Sequence, residues 1–272
     1  MTPSKSNTGR RFLQTGRRLS DPILLAGLTL PEWALCGGAA FVAGCVRGFA
    51  GFGLSAVAMA CLVLILPPVE LIPIMYVLEG AASLAMFRGG MRDVDMSHVW
   101  PLAIGSFVGV PIGLMATTTI SPDTSKLVAL LIILLLTVLQ FFRSIPAALS
   151  ATPGRYAVGT TAGVVTGLAS VGGMVIALYV LASRAPATKM RAALTMFLFI
   201  GMFTSLGHML LYRVMTEIAF ARGAILIPMA LAGVFLGTWA FKPEWKVYYR
   251  KFCLVLLGLI CVISLSRLAI GS

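Results

Sequence analysis

Long intervals without any acidic or basic residue are the feature that most constrains how this chain can fold. Residues 48–69, 99–122, 156–183, 192–212 and 223–241 contain no Asp, Glu, Lys or Arg. Several of these intervals reach the roughly 20 apolar residues that an α-helix needs to cross a bilayer core of about 30 Å. Of the 272 residues, 11% are charged and 59% are hydrophobic, whereas soluble domains carry about 25% charged residues. The pattern predicts an all-α, polytopic membrane protein and leaves no room for a sizeable soluble domain.

The two halves of the chain are similar to each other. When the sequence is shifted by 119 residues, residues 48–53 align with 167–172, and with a shift of 124, residues 109–113 align with 233–237. A duplication explains both alignments. We therefore predict a basic N-terminal tail and two transmembrane repeats of about four to five apolar segments each, over residues 1–32, 33–145 and 155–270.

The first two apolar segments of each half are short and rich in glycine. The first of them covers only residues 33–46, and a 14-residue helix rises about 21 Å, which is less than the hydrocarbon thickness of a bilayer. Short, glycine-interrupted segments in corresponding positions of two halves are typical of discontinuous helices in transporters. The sequence leaves open whether these segments span the membrane or enter it and turn back.

The basic residues alternate between the halves in a way that predicts opposite orientations. The loops near Arg88, Arg143, Arg184 and Lys242 are basic and are expected in the cytoplasm. In the first half, the loops at residues 67–70 and 117–123 carry no Lys or Arg, whereas the corresponding loops of the second half, near Arg184 and Lys242, are basic. An odd number of crossings in each repeat gives such an inversion. A basic tail is expected in the cytoplasm, whereas counting the crossings back from Arg88 places it outside. An additional crossing at residues 21–38 would reconcile the two, and the sequence leaves the side of the N-terminus open.

The remaining composition argues against other classes of function. The net charge of +12 comes from Lys and Arg at segment ends rather than from a basic stripe, so nucleic-acid binding is not expected. None of the five cysteines forms a CxxC pair, and no zinc-binding spacing occurs, so no metal or cofactor is predicted. The chain lacks the HExxH, GxSxG and Walker A motifs. We therefore expect that the protein is not an enzyme.

A glycine-rich stretch, RGFAGFGLS at residues 47–55, is the strongest candidate for a binding site. Three glycines within six residues destabilise a helix interior and favour a break, after which a new half-helix presents free N–H groups and a positive dipole end to an anion. The copy at residues 167–173 predicts a second, facing break. Close packing of helices through small residues is the alternative. The predicted substrate-binding residues are Arg47, Gly48, Gly51, Gly53, Ser55, Gly167, Ser170, Gly172 and Gly173.

Four ionisable residues in or beside the apolar segments have candidate roles. Arg47 could contact an anionic substrate or extend to the membrane surface, and Glu79 could pair with Arg47 or carry a proton. His208 lies in a charge-free interval, where histidine can change protonation near neutral pH or form a structural hydrogen bond. Arg191 lies at the start of the same segment and could act as a gate or as a loop anchor. Glu79, His208 and Arg191 are the candidates for coupling or gating.

The chain resembles the sulfite exporter TauE/SafE family of bacterial membrane permeases over roughly residues 33–268. The resemblance is carried by many short matches in order, and the second glycine motif departs from it by having Ser170 where a glycine would match the first. The matches lie at residues 47–53, 67–68, 79, 82–84, 92–95, 109–113, 167–173 and 189–192.

This resemblance implies transport of sulfur-containing anions such as sulfite or organosulfonates across the bacterial inner membrane. We expect a multi-pass secondary transporter that holds a small anion between the two glycine breaks and alternates its access, with a proton or sodium as possible coupling ion. A passive anion channel and a non-transporting membrane scaffold or assembly factor are the alternatives.

Overall fold

Ten α-helices account for almost all of the structure that is described. The computed structural model describes residues 27–90, 94–142, 152–182, 187–240 and 246–271, the side chains at several helix ends excepted. Seven of the helices are long and apolar enough to cross a membrane, and no β-strand occurs in these ranges, so the predicted polytopic all-α fold is confirmed. The helices are α1 (Leu30–Ala50), α2 (Leu54–Leu62), α3 (Pro68–Gly90), α4 (Met96–Thr119), α5 (Pro122–Phe142), α6 (Thr152–Ala169), α7 (Gly172–Ala182), α8 (Ala187–Leu211), α9 (Glu217–Trp239) and α10 (Lys246–Gly271).

Helix α1 is longer than the sequence suggested. The backbone N–H and the hydroxyl of Thr29 both donate to the Glu32 carboxylate at 2.8 Å, which caps the helix start. The helix then runs for 21 residues, a rise of about 31 Å. The prediction of a short first segment at residues 33–46 was therefore wrong, and α1 takes the last residues of the predicted tail. The rest of that tail lies outside the described residues.

The short helices are α2 and α7, which lie in the protein interior. Every residue of α2 except Cys61 is buried, and so is every residue of α7 up to Val180 except Gly173. Irregular backbone at membrane depth is tolerated only where protein or a polar cavity encloses it. The full-length helices supply that enclosure for both breaks.

The first helix of each half packs on the fourth helix of the other half. In α1, a Cβ added to Gly44 would collide with the carbonyl oxygen of Ala230 in α9, and one added to Gly48 would collide with that of Val234. In the same way, Gly233 and Gly237 of α9 lie against the backbone of α1. This contact requires glycine on both helices.

Helices α4 and α6 repeat the contact in the other half. A Cβ on Gly109 would meet the carbonyl oxygen of Thr160, and one on Gly113 would meet that of Val164. Gly163, the counterpart of Gly44 at a shift of 119, lies against the backbone of Ser106. The exchange of first helices between the halves agrees with the predicted duplication.

The helix directions show that the halves are inverted. Residue numbers rise together along α1 and α9, and also along α4 and α6, so each of these pairs is parallel. The counterparts α3 and α8 run in opposite directions, since Gly80 lies against Met202 while the ring of Phe87 stacks 4.3 Å from that of Phe199. A copy that is antiparallel to its original is the geometry of an inverted repeat.

Two equivalent side chains hold the short helices in place. The Gln140 amide of α5 donates to the Met174 carbonyl of α7 at 3.0 Å, and the Ser264 hydroxyl of α10 donates to the Ala60 carbonyl of α2 at 2.7 Å. Gln140 and Ser264 correspond at a shift of 124. Each half therefore anchors the short helix of the other half through a backbone carbonyl.

The acidic stretch before α4 has a structural role. The Asp95 carboxylate accepts hydrogen bonds from the Ser97 hydroxyl at 2.7 Å and from the Ser97 N–H at 3.0 Å. These bonds stabilise the charged form and lower the pKa of Asp95. Asp95 is thus the N-cap of α4. The predicted boundary between the repeats and most of the basic loops lie outside the described residues.

Candidate functional site

The first glycine break separates α1 from α2. Gly51 closes α1 in the left-handed conformation with φ +82°, and Gly53 precedes α2 with φ +94°. Both conformations strongly favour glycine because a Cβ would crowd the following carbonyl. The chain therefore leaves the helical path between α1 and α2 at Gly51 and Gly53, and the turn itself is the reason for these two glycines.

Arg47 and Glu79 form a buried ion pair beside this break. The Arg47 side chain is 0% exposed, and its Nε donates to Glu79 Oε2 at 3.0 Å. The same guanidinium donates to the hydroxyl of Ser83 at 3.1 Å and to the carbonyl of Gly51. The pairing of Arg47 with Glu79 was one of the alternatives predicted, and it is confirmed. Extension of Arg47 to the membrane surface is contradicted, because the side chain ends in the interior.

The start of α2 already holds a carboxylate. Glu79 Oε1 accepts from the N–H of Ser55 at 3.2 Å and from its hydroxyl at 3.0 Å. The N-terminus of a helix favours an anion at this place, and in this structure the anion is a side chain of the protein. The two oxygens of Glu79 thus join α2 to α1 through α3.

The second break, between α6 and α7, follows the same backbone course. The N–H of Ser170 donates to the Thr166 carbonyl at 2.8 Å, just as the N–H of Gly51 donates to that of Arg47 at 2.8 Å. Ser170 has φ +58°. The serine that departs from the first motif therefore adopts the left-handed conformation of its glycine counterpart, at a cost of about 1–2 kcal/mol.

A narrow cavity lies between the second break and Glu79. The volume of the cavity is about 50 Å³, enough for a few water molecules or a small anion. Glu79, with a 16% exposed side chain, is the charged residue in its wall. The wall is formed by Tyr76, Glu79, Gly80, Ser106, Thr166, Ser170, Gly172, Gly173, Phe197, Leu198, Gly201, Met202, Ser205 and Met209.

Several hydroxyl groups in this wall were not predicted. Ser106 is 5% exposed and Ser205 is 6% exposed, and neither hydroxyl forms a hydrogen bond within the described part of the chain. Tyr76 donates its hydroxyl to the Met202 carbonyl, and Thr166 donates to the Ala162 carbonyl. Serine and threonine are common in membrane helices, where they often bond to the preceding turn. The sequence therefore carries no signal that distinguishes these serines from others.

Two of the predicted binding glycines have a different place. Gly48 and Gly167 lie at the close contacts of α1 with α9 and of α6 with α4, and neither is in the wall of the cavity. For these two residues the structure supports the alternative of close helix packing. Their carbonyls accept from threonine hydroxyls, at 3.3 Å from Thr238 and at 2.8 Å from Thr117.

The second coupling candidate, His208, does not line the cavity. The ring of His208 stacks 4.7 Å from that of Phe107 in α4, and His208 is absent from the cavity wall. Its Nδ1 has no hydrogen-bond partner among the described residues. Arg191 belongs to α8, and its side chain lies outside the described part of the structure. No group of three or more His, Cys, Asp or Glu side chains that could hold a metal occurs among the residues searched.

A multi-pass helical protein with two inverted halves, broken helices and an internal cavity has the architecture of a membrane permease. The family model described as sulfite exporter TauE/SafE matches residues 36–264. The chain therefore belongs to the TauE/SafE family, which is a family of transporters for sulfite and related sulfur anions. Searches of curated proteins and of solved structures return no match.

Proposed function

We propose that this protein is a secondary transporter that binds a small sulfur-containing anion in the cavity between Glu79 and the second glycine break. The cavity carries the proposal, because it lies beside both a helix N-terminus and an intramembrane charge. Its size matches sulfite or the sulfonate group of an organosulfonate better than a large metabolite. The bacterial inner membrane is the proposed location.

Hydrogen-bond donors for the anion are available on one side of the cavity. Gly172 and Gly173 are the first residues of α7, where N–H groups have no partner within the helix and the dipole is positive. The hydroxyls of Ser106 and Ser205 face the same space from α4 and α8. Oxygen atoms of a sulfite or sulfonate group accept hydrogen bonds from donors of both kinds.

The predicted binding residues then divide into three roles. Ser170, Gly172 and Gly173 contact the anion directly. A second group acts through Glu79 by fixing its position, and a third permits the close approach of the helices. The second group is Arg47, Gly51, Gly53 and Ser55, and the third is Gly48 and Gly167.

Alternating access would come from movement of the repeat at residues 33–145 against that at residues 155–270. Because α1 and α6 are exchanged between the halves, each moving unit would carry the first helix of the opposite repeat, so α1 would move with α9 and α6 with α4. Glu79 on α3 and Gly173 on α7, one from each repeat, both line the cavity. A relative tilt of the repeats would therefore change access to the bound anion.

Binding is tested by thermal unfolding of the purified protein with sulfite, thiosulfate, taurine and sulfoacetate, followed by flux of the stabilising anions in proteoliposomes. An anion at a hundred times its Kd stabilises the folded state by about 2.7 kcal/mol, so we expect a clear shift with at least one compound. Absence of both stabilisation and flux with every compound would refute the proposed function.

A matched pair of glycine variants tests the position of the site. A Cβ on Gly173 lies 3.3 Å from the flexible Leu198 side chain, whereas one on Gly207, in the same bundle, meets nothing within 4 Å. We expect Gly173→Ala to lower anion affinity at least fivefold and Gly207→Ala to leave it unchanged. Equal affinities in the two variants would place the site elsewhere.

The same experiments separate the alternatives. A passive channel would conduct the anion without dependence on a proton or sodium gradient, and a scaffold would neither bind nor transport it. Valine substitutions at the breaks are less useful, since Gly51 has a left-handed φ and a Cβ on Gly172 would collide with the Ala162 carbonyl. Such variants would misfold in a protein of any function.

A further inference from the structure

Glu79 separates the buried arginine from the cavity. Arg47 is completely buried and does not line the cavity, while Glu79 both lines the cavity and accepts the Arg47 Nε–H at 3.0 Å. In the described structure the positive charge of Arg47 is therefore balanced by Glu79. An anion in the cavity would lie against a carboxylate that already has its partner.

Charge balance makes this arrangement unfavourable for an anion unless Glu79 is neutral. The ion pair has no net charge, so addition of an anion leaves an excess negative charge in an apolar interior, where unpaired charges are costly. Two negative groups that share one site also repel each other. When Glu79 takes up one proton, Arg47 and the anion balance each other, and the site is neutral again.

Other ionisable groups do not take over this role within the described residues. On the helices packed against α3, Arg222 of α9 pairs with Glu70 at 2.6 Å, and His208 of α8 faces Phe107 of α4. Helix α2 presents Ser55 to Glu79, and α6 presents Thr166 to the cavity. His98 pairs with Asp95 at the start of α4, and Lys126 pairs with Asp123 at the start of α5. Tyr76, in the cavity wall, donates to the Met202 carbonyl.

We propose that Glu79 is the proton-binding residue that couples anion transport to protons, so that each anion enters the cavity together with one proton on the Glu79 carboxylate. The proton comes from water and adds to a carboxylate oxygen, which then donates a hydrogen bond instead of accepting one. The Arg47 guanidinium remains charged and balances the anion. This inference depends on the proposed anion transport.

The experiment compares Glu79→Gln with Glu70→Gln. Both carboxylates lie on α3 and pair with an arginine, but only Glu79 lines the cavity. Affinity for methanesulfonate, a sulfonate that carries a single negative charge throughout this range, is measured between pH 5 and 9, together with proton uptake in weakly buffered solution when the anion is added. Linkage of one proton to one anion raises the affinity of the wild type up to tenfold for each unit by which the pH falls.

We expect the Glu70→Gln variant to keep this slope and to take up one proton per anion. The Glu79→Gln variant mimics the protonated carboxyl group, so its affinity should be independent of pH and its proton uptake should vanish. In proteoliposomes it should still exchange anion for anion while losing accumulation against a gradient that is driven by pH.

A pH slope that Glu79→Gln shares with the wild type, or binding to the wild type without proton uptake, would overturn the proposal. Absence of proton uptake by the wild type overturns the proposal without any variant, so the proposal stays falsifiable even if Glu79→Gln is recovered in low yield. If no anion binds to the wild type at any pH, the proposed function itself fails. If an anion binds but releases or takes up no proton, only the coupling through Glu79 fails.

Discussion

The carboxylate of Glu79 accepts a hydrogen bond from the buried guanidinium of Arg47 at 3.0 Å and at the same time forms part of the cavity wall. This single residue connects the first glycine break, through Ser55, with the cavity at the second break. The two breaks therefore differ, although their backbones are alike. One is occupied by a carboxylate of the protein, and the other opens onto a space that an anion can enter.

Removal of Arg47 is expected to impair both stability and transport. In Arg47→Ala the Glu79 carboxylate loses its partner in the interior, and breaking a buried ion pair costs about 3–5 kcal/mol. Thermal unfolding in detergent measures the loss of stability. The double variant Arg47→Ala with Glu79→Ala should recover part of it, and a double variant no more stable than the single one would contradict the role of the pair.

Replacement of Gly48 by alanine is expected to disrupt the contact between α1 and α9. The new Cβ would collide with the Val234 carbonyl oxygen, so the helices must separate, and overpacking of this kind costs about 1–3 kcal/mol. Gly38→Ala is the control in the same helix, because a Cβ there meets nothing within 4 Å. Unfolding temperatures of the two variants should differ by several degrees, and equal values would argue against this packing.

The two breaks offer a pair of opposite substitutions. Gly51→Ala places a Cβ at φ +82° and should destabilise the protein by about 1 kcal/mol, whereas Ser170→Gly removes a Cβ at φ +58° and should be neutral or stabilising. Denaturation of both variants under identical detergent conditions measures the difference. A stabilising Gly51→Ala would show that the left-handed turn is not formed.

The hydroxyl groups of the cavity should contribute to anion affinity. Ser106→Ala and Ser205→Ala each remove a donor that has no partner in the described part of the chain, and a hydrogen bond to a charged group contributes about 1.5–3 kcal/mol. We therefore expect each variant to bind the anion at least tenfold more weakly. Ser97→Ala, at the exposed start of α4, is the control and should bind normally.

His208 is expected to have no part in proton coupling. Its ring stacks on Phe107 and lies outside the cavity wall. The variant His208→Gln should therefore keep the pH dependence of anion affinity shown by the wild type. Loss of that dependence would transfer the coupling role from Glu79 to His208.

Much of the fold could be predicted from the sequence because the bilayer imposes simple rules on composition. The charge-free intervals 99–122, 192–212 and 223–241 correspond to the spanning helices α4, α8 and α9. The repeated glycine motifs indicate the duplication that the parallel contacts α1–α9 and α4–α6 display. The predicted length of α1 was wrong because the extent of this helix depends on the Thr29 cap and on packing against α9. Neither effect is visible in hydropathy alone.

The candidate site was predictable only in part. The break at Gly51 and Gly53 and the contact of Arg47 with Glu79 follow from residues that are costly elsewhere in an apolar helix. The roles of Gly48 and Gly167 could not be separated from those of Gly51 and Gly172, because a helix break and a close helix contact both require glycine. The neighbouring backbone decides between these roles.

The sequence by itself determined that this chain crosses a membrane several times, that it consists of two similar halves, and that few charges remain in its interior. Only the tertiary structure decided which of those charges neutralise each other and where space remains for a ligand. The physical reason is that the apolar surroundings of a charged residue can be read from its own segment. Its ion-pair partner, in contrast, depends on which other segments lie close to it. Glu79 pairs with Arg47, which lies 32 residues away in the sequence. It also lines the same cavity as Gly173, which belongs to the other half of the chain.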